Sequence, residues 1–279
     1  MSPRSVLIAI AALAAAGCAQ GRTVVPVRME PAVVPSASVE TLDLNSYEAT
    51  VRTVASVIAR DLRLPLPETV MVYVYSSREI FQQGLIVDGQ VSRVRAAELS
   101  DFAVGVGKRR QLLLHHETNV GRGEWVRLVA HELAHVAQIE LAEGEGRAEQ
   151  WLAEGMAEWI AYRVLERLRL DTVVRRRRVA IETVRAHPPV VARRLDLDTL
   201  GTPRGFTMRH LREGSHPTYQ MSYLLTDYLI AREGFDSVVG YFQLFAKRVD
   251  RRGNFAAAFG QSLDEFEQEA LGHLAKFTN

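Results

Sequence analysis

The run His131-Glu132-Leu133-Ala134-His135 sits inside an apolar stretch of helical period, and its spacing decides how the rest of the chain is read. Two imidazoles four residues apart stand on one face of an α-helix, one turn from each other. That is close enough to hold a single zinc ion at ~2.0–2.1 Å from each nitrogen. The intervening Glu132 projects roughly 100° round the helix. Its carboxylate then falls beside the ion, where it can take a proton from zinc-bound water whose pKa is lowered towards ~7. Trp125, Leu128, Val129, Leu133, Val136 and Ile139 give the same helix an apolar flank that would hold it rigid.

Working outward, a third ligand stands where one is needed. Trp151-Leu152-Ala153-Glu154-Gly155-Met156-Ala157-Glu158-Trp159 lies on the next expected helix, with Glu154 nineteen residues beyond His135. A turn at Gly144-Glu145-Gly146 lets that helix fold back beside the first. Burying Trp151, Leu152, Trp159 and Ile160 leaves Glu154 and Glu158 stacked on one face. His131, His135 and Glu154 then make a His₂Glu set with a fourth position open to water, the catalytic and not the structural zinc pattern. Glu158, one turn on, is placed to accept the free ring N–H of a zinc histidine; the bland reading is a solvated helix charge.

These residues resemble a known family. His131-Glu-x-x-His135, eighteen residues and then Glu154 is the spacing of the gluzincin metallopeptidases, particularly their aminopeptidase-N-like branch. The wording around Glu154 looks like the compact bacterial peptidase MA-like domains. The resemblance is best over residues 100–277. It implies His131, His135 and Glu154 as zinc ligands, Glu132 as general base and acid, and a gluzincin-like catalytic domain. Gluzincins often carry Asp where Glu158 stands. The family also supplies a Tyr or His donor to the oxyanion from a later helix. His216-Pro217-Thr218-Tyr219-Gln220-Met221-Ser222-Tyr223 is the matching stretch, with Tyr219 the first candidate and Tyr223 and His216 behind it. In such enzymes a strand edge above the zinc pairs with extended substrate; Phe102–Val106 is the candidate, Gly105 and Gly107 allowing close approach. The Gly-x-Met-Glu-Asn motif that grips a free amine in this branch is missing, which favours an endopeptidase.

The remaining sequence sets the frame. The chain has 279 residues, 47% hydrophobic and 24% charged, an ordinary globular composition for one large domain. The 34 basic and 33 acidic residues cancel, which argues against nucleic acid as the main partner. Residues 1–17 carry Arg4 and then an eleven-residue apolar run from Val6 to Ala16, too short to span a bilayer but right for a signal peptide. The segment ends Ala15-Ala16-Gly17-Cys18, resembling a bacterial lipobox, with Cys18 the only cysteine of the chain. Lipidation there, or ordinary secretion with cleavage after a small residue, are the two readings. Ala19 in place of Asp favours the periplasmic face of the outer membrane of a Gram-negative cell.

Residues 18–45, with Pro26, Pro31 and Pro35, read as a flexible tether, and residues 46–279 as the catalytic domain. The expected class is α+β, mainly α: a small N-terminal sheet packed on the zinc helices, then a helical C-terminal part. Strands are expected at 70–75, 102–106 and 111–115, the last two forming a hairpin about Gly107–Arg110. Helices are expected at 47–64, briefly after Ser77, and at 123–142, 147–170, 174–187, 217–233, 236–249 and 262–277. Arg193 to Ser215 gives no firm signal. Arg175–Arg178 with Arg193 and Arg194 reads as a solvated basic face. His115 and His116 end a strand, so their side chains should point to opposite faces. Two functions fit: a zinc peptidase acting on peptide or protein substrates from a lipid anchor, or a non-catalytic envelope scaffold that keeps the fold around a structural zinc.

Overall fold

The computed structural model describes residues 21–29, 44–116, 121–187 and 195–278; Cys18 and the segment read as a signal peptide, residues 1–17, lie outside them. The chain is α+β and mainly helical, as its periodicity predicts. A four-stranded mixed sheet is built from β1 (Arg22–Arg28), β2 (Thr69–Tyr75), β3 (Gly105–Lys108) and β4 (Gln111–His115), in the order β1-β2-β4-β3. β1 and β3 are the edges and run antiparallel to their neighbours, whereas β2 and β4 are parallel.

The sheet is a middle layer because its strands alternate. Val70, Val72, Val74, Leu112 and Leu114 belong to the main core, which they share with α1 (Tyr47–Asp61) and α4 (Arg122–Ala142). Tyr75 and Leu113 face the other way, into a small second core with Phe81, Leu85 and Ala96 from α2 (Arg78–Val87) and α3 (Arg93–Ser100). His115 and His116 part as expected: His115 stacks on Phe81, and His116 packs on Trp125 and Tyr47. Ser46 and Ser77 cap α1 and α2 through their side-chain oxygens.

Behind the sheet lies the helical body. α4 and α5 (Gln150–Arg167) are buried on nearly every side, so neither shows a simple apolar stripe. α6 (Val173–Ala186), the short α7 (Leu197–Leu200), α8 (Pro203–Glu213), α9 (Ser215–Glu233), α10 (Phe235–Leu244), α11 (Arg251–Phe259) and α12 (Leu263–Thr278) surround them. Gly155 decides one of these contacts. A Cβ there would collide with the Ser222 carbonyl and the Thr226 hydroxyl of α9, so only glycine lets α9 lie against α5.

Four sequence expectations change. Residues 22–28 are not part of a tether: Arg22 to Arg28 pair residue for residue with Tyr75 to Thr69, and Val27 is fully buried. Pro26 is tolerated because β1 is an edge. The strand expected at 102–106 runs instead from Gly105 to Lys108, and Arg109-Arg110 alone make the hairpin turn, Arg110 taking a positive φ of 60°. The helix expected at 236–249 stops at Leu244, and α11 follows. The uncertain stretch before Ser215 holds α7 and α8.

If residues 22–28 are a strand, Val27→Asp places an unpaired carboxylate in the core. It should lower the free energy of unfolding by about 3 kcal/mol or more. Urea denaturation reads this directly; a tether residue would leave the midpoint unmoved.

Candidate metal centre

α4 and α5 each deliver buried ionisable groups to the same point. His131, Glu132, Glu154 and Glu158 are all under a tenth exposed. His131 Nε2 lies 3.1 Å from Glu154 Oε2 and 3.2 Å from His135 Nε2, and His135 Nε2 lies 3.3 Å from the same carboxylate oxygen. The three atoms form a nearly equilateral triangle. Tetrahedral coordination at ~2.0–2.1 Å sets ligand atoms about 3.3 Å apart, so the triangle fits one face of such a site.

Each ligand is aimed by a neighbour. Gln138 donates its amide to the Ala153 carbonyl at 2.9 Å, which turns its oxygen to His135 Nδ1, also at 2.9 Å. Nδ1 therefore carries a proton, so that Nε2, on giving up its own, presents a lone pair to the site. Gln150 donates to Glu154 Oε1 at 2.7 Å and leaves Oε2 for the triangle. His131 Nδ1 lies 3.3 Å from Glu158 Oε1, within ion-pair range but too poorly aligned for a good hydrogen bond. That same oxygen accepts a hydrogen bond of 2.6 Å from Arg127 Nη1. The chain of charge continues outward, Arg127 to Glu124 at 2.7 Å and Arg176 to Glu124 at 2.7 Å.

Glu132 is held from the sheet. Gly107 N–H donates to its Oε2 at 2.7 Å. Side chains at Gly105 and Gly107 would strike the Glu132 carboxylate and backbone carbonyl respectively. The two glycines therefore make room for α4, a closer constraint than the substrate approach expected of them. Burial raises the Glu132 pKa above its ordinary value, against the pull of His131 and His135. Burial alone would lower the His131 pKa, but the hydrogen bond to Glu154 and the nearby charge of Glu158 overturn this and lift it to about 10. Glu154 is held well below the usual carboxylate range: burial opposes ionisation, and the His135 charge with the two histidine hydrogen bonds outweighs it.

Of the three later candidates, Tyr219 is the one beside the ligands. Its ring is 6.0 Å from that of His131. Burial and the nearby Glu154 raise its pKa well above the ordinary value, so its hydroxyl stays a donor. Tyr223, one turn on, is fully buried against Tyr162. His216 is exposed, with Nε2 3.3 Å from Thr183 Oγ1. Arg127, Gln138 and Gln150 are supporting residues that the sequence reading passed over. Gln138, three residues beyond His135, and Gln150, four before Glu154, carried a local signal, each on its partner's own helix. The Arg175–Arg178 cluster is largely neutralised, Arg175 and Arg176 by Asp171 and Arg177 by Asp227. No family model matches the chain, and no curated protein or solved structure matches it.

Imidazoles bind zinc in their neutral form, while the metal-free cluster holds His131 protonated at neutral pH. Zinc uptake at pH 7.5 should release about one to two protons per ion, and affinity should rise with pH. Calorimetry in buffers of different ionisation enthalpy measures both; release of none would refute the assignment. Gln138→Ala, which frees the His135 tautomer, should weaken zinc about 10–100-fold.

Proposed function

We propose that the protein is a zinc-dependent peptidase of the gluzincin kind, an endopeptidase, exported and held by a lipid on Cys18 at the periplasmic face of the outer membrane. The observation that carries the reading is the convergence of His131 Nε2, His135 Nε2 and Glu154 Oε2 beside a buried Glu132 that ligates nothing in that triangle. His131, His135 and Glu154 would hold the ion, which supplies Lewis acidity towards water and a peptide carbonyl.

The other steps belong to the chain. Glu132, with Oε2 fixed by Gly107 N–H, takes the proton of the attacking water and passes it to the leaving amine. Its burial suits this exchange, since a raised pKa brings the carboxylate nearer to neutral pH. The Tyr219 hydroxyl donates to the oxygen on which charge develops. β3, an edge strand beside Glu132, offers backbone groups to an extended peptide. Phe102 and Ala103 precede it and line the cavities that meet at the site. Among the described residues no helix is long and apolar enough to cross a membrane.

Zinc-loaded protein should cleave members of a peptide library. Glu132→Gln should keep about one zinc but lower turnover by ~10²–10⁴-fold. Tyr219→Phe should cost ~10²–10³-fold in kcat with little change in zinc content. Undiminished, chelator-sensitive turnover in Glu132→Gln would overturn the mechanism. Zinc binding with no cleavage would leave the scaffold with a structural ion.

A further inference from the structure

Two cavities, of 410 and 310 Å³, meet at the site and share the wall made by Gly105, His131, Glu132 and Tyr219. Their charges differ. The smaller is balanced: its cations Arg127 and Arg176 are paired with its own Glu124 and Glu158 at 2.6–2.7 Å. The larger presents Arg95, Lys108 and Arg147, and beyond Glu154 and Glu132 its only acid among the described residues is Glu145. Lys108 Nζ lies 3.7 Å from Glu145, and Arg95 Nη1 lies 3.0 Å from Glu98. Arg147 has no acidic partner among the described residues.

Arg147 is held in place by one nitrogen. Nη1 donates at 3.2 Å both to the Ala142 carbonyl, at the end of α4, and to the Phe245 carbonyl, just past α10. These bonds fix the guanidinium, and neither spends Nε or Nη2, which have no hydrogen-bond partner among the described residues. Gly144 lies directly over the group: a Cβ there would collide with Nε and Cζ. The group is a half-buried, permanently charged fork with two donors unspent. Such a fork matches a carboxylate bidentately.

We propose that the larger cavity receives an acidic side chain, Asp or Glu, of a peptide bound along β3, with Arg147 as the residue that selects it. As a statement about substrate this rests on the peptidase reading; as a statement about binding it does not. The smaller cavity, with its charges internally matched, would show no such preference.

The test uses fluorescein-labelled heptapeptides of Ala, Gly and Ser, with a single Glu, Gln or Lys moved through the seven positions. Anisotropy is read on zinc-loaded Glu132→Gln protein, which retains bound peptide intact. At one position Glu should bind at least about tenfold more tightly than Gln, the scale of a charge-assisted hydrogen bond. Arg147→Gln should erase the difference, Arg147→Lys should keep part of it, and Arg147→Glu should turn the preference to Lys. Glu and Gln binding equally at every position of the scan, which needs no Arg147 variant to fold, would overturn the proposal. So would a preference that survives Arg147→Gln. The same peptides incubated with protein carrying Glu132 separate the two claims. Preference without cleavage removes the peptidase and leaves an acidic-peptide cleft, whereas cleavage without preference removes only the role of Arg147.

Discussion

Three carboxylates buried side by side between two apolar helices are the constraint on which this structure turns. Glu132, Glu154 and Glu158 are each under a tenth exposed, and an uncompensated ion in such a place costs several kcal/mol. Their compensation is specific. Arg127 answers Glu158, the two imidazoles answer Glu154, and a backbone N–H of β3 answers Glu132. With Arg127 committed, two negative charges remain beside two imidazoles. Either protons on the histidines or one divalent cation balances them, which is why the metal-free cluster holds its protons so tightly and why an ion would displace them.

That balance dictates features distant from the ligands. The sheet must bring a strand edge close enough to α4 for a main-chain N–H to reach Glu132, and this requires residues without side chains at Gly105 and Gly107. α9 must approach α5 closely enough to set Tyr219 by His131, and Gly155, the residue after Glu154, permits it. These three glycines do the same work at different places. They let backbone replace side chain where the site needs its walls near.

What the sequence disclosed follows from how local each signal was. The His131, His135 and Glu154 cluster was legible because helical spacing alone aligns His131 with His135, and a fixed interval brings Glu154 after a glycine turn. The two central helices and β2 were legible from period. α3 was not, because only Ala96 and Ser100 of its eight residues are buried and no apolar rhythm results. α8 reads backwards: Met208 and Leu211 are exposed while Arg209 and His210 are buried, so its polarity pattern misleads. β1 was hidden by its proline, which is compatible with an edge strand as well as with a tether. Arg127 is an ordinary helix polar in sequence; its role depends on Glu158 of the helix that lies opposite.

The reassignment of β1 also alters what an anchor would do. A tether running to residue 45 would let the cleft wander far from the bilayer, but β1 ties the chain to the sheet at Arg22. Between Cys18 and Arg22 there are four peptide steps, a reach of at most ~14 Å. Arg22 lies opposite Tyr75, Tyr75 opposite His115, and His115 N–H donates to the carbonyl of Val104, which lines the smaller cavity. This row crosses the sheet in three strand spacings, about 14 Å. A lipid on Cys18 would therefore hold one mouth of the cleft within about 30 Å of the membrane surface. Under that geometry a lipid-anchored peptidase would work on segments that lie near the bilayer, and its selectivity would come from reach as much as from the chemistry of its walls.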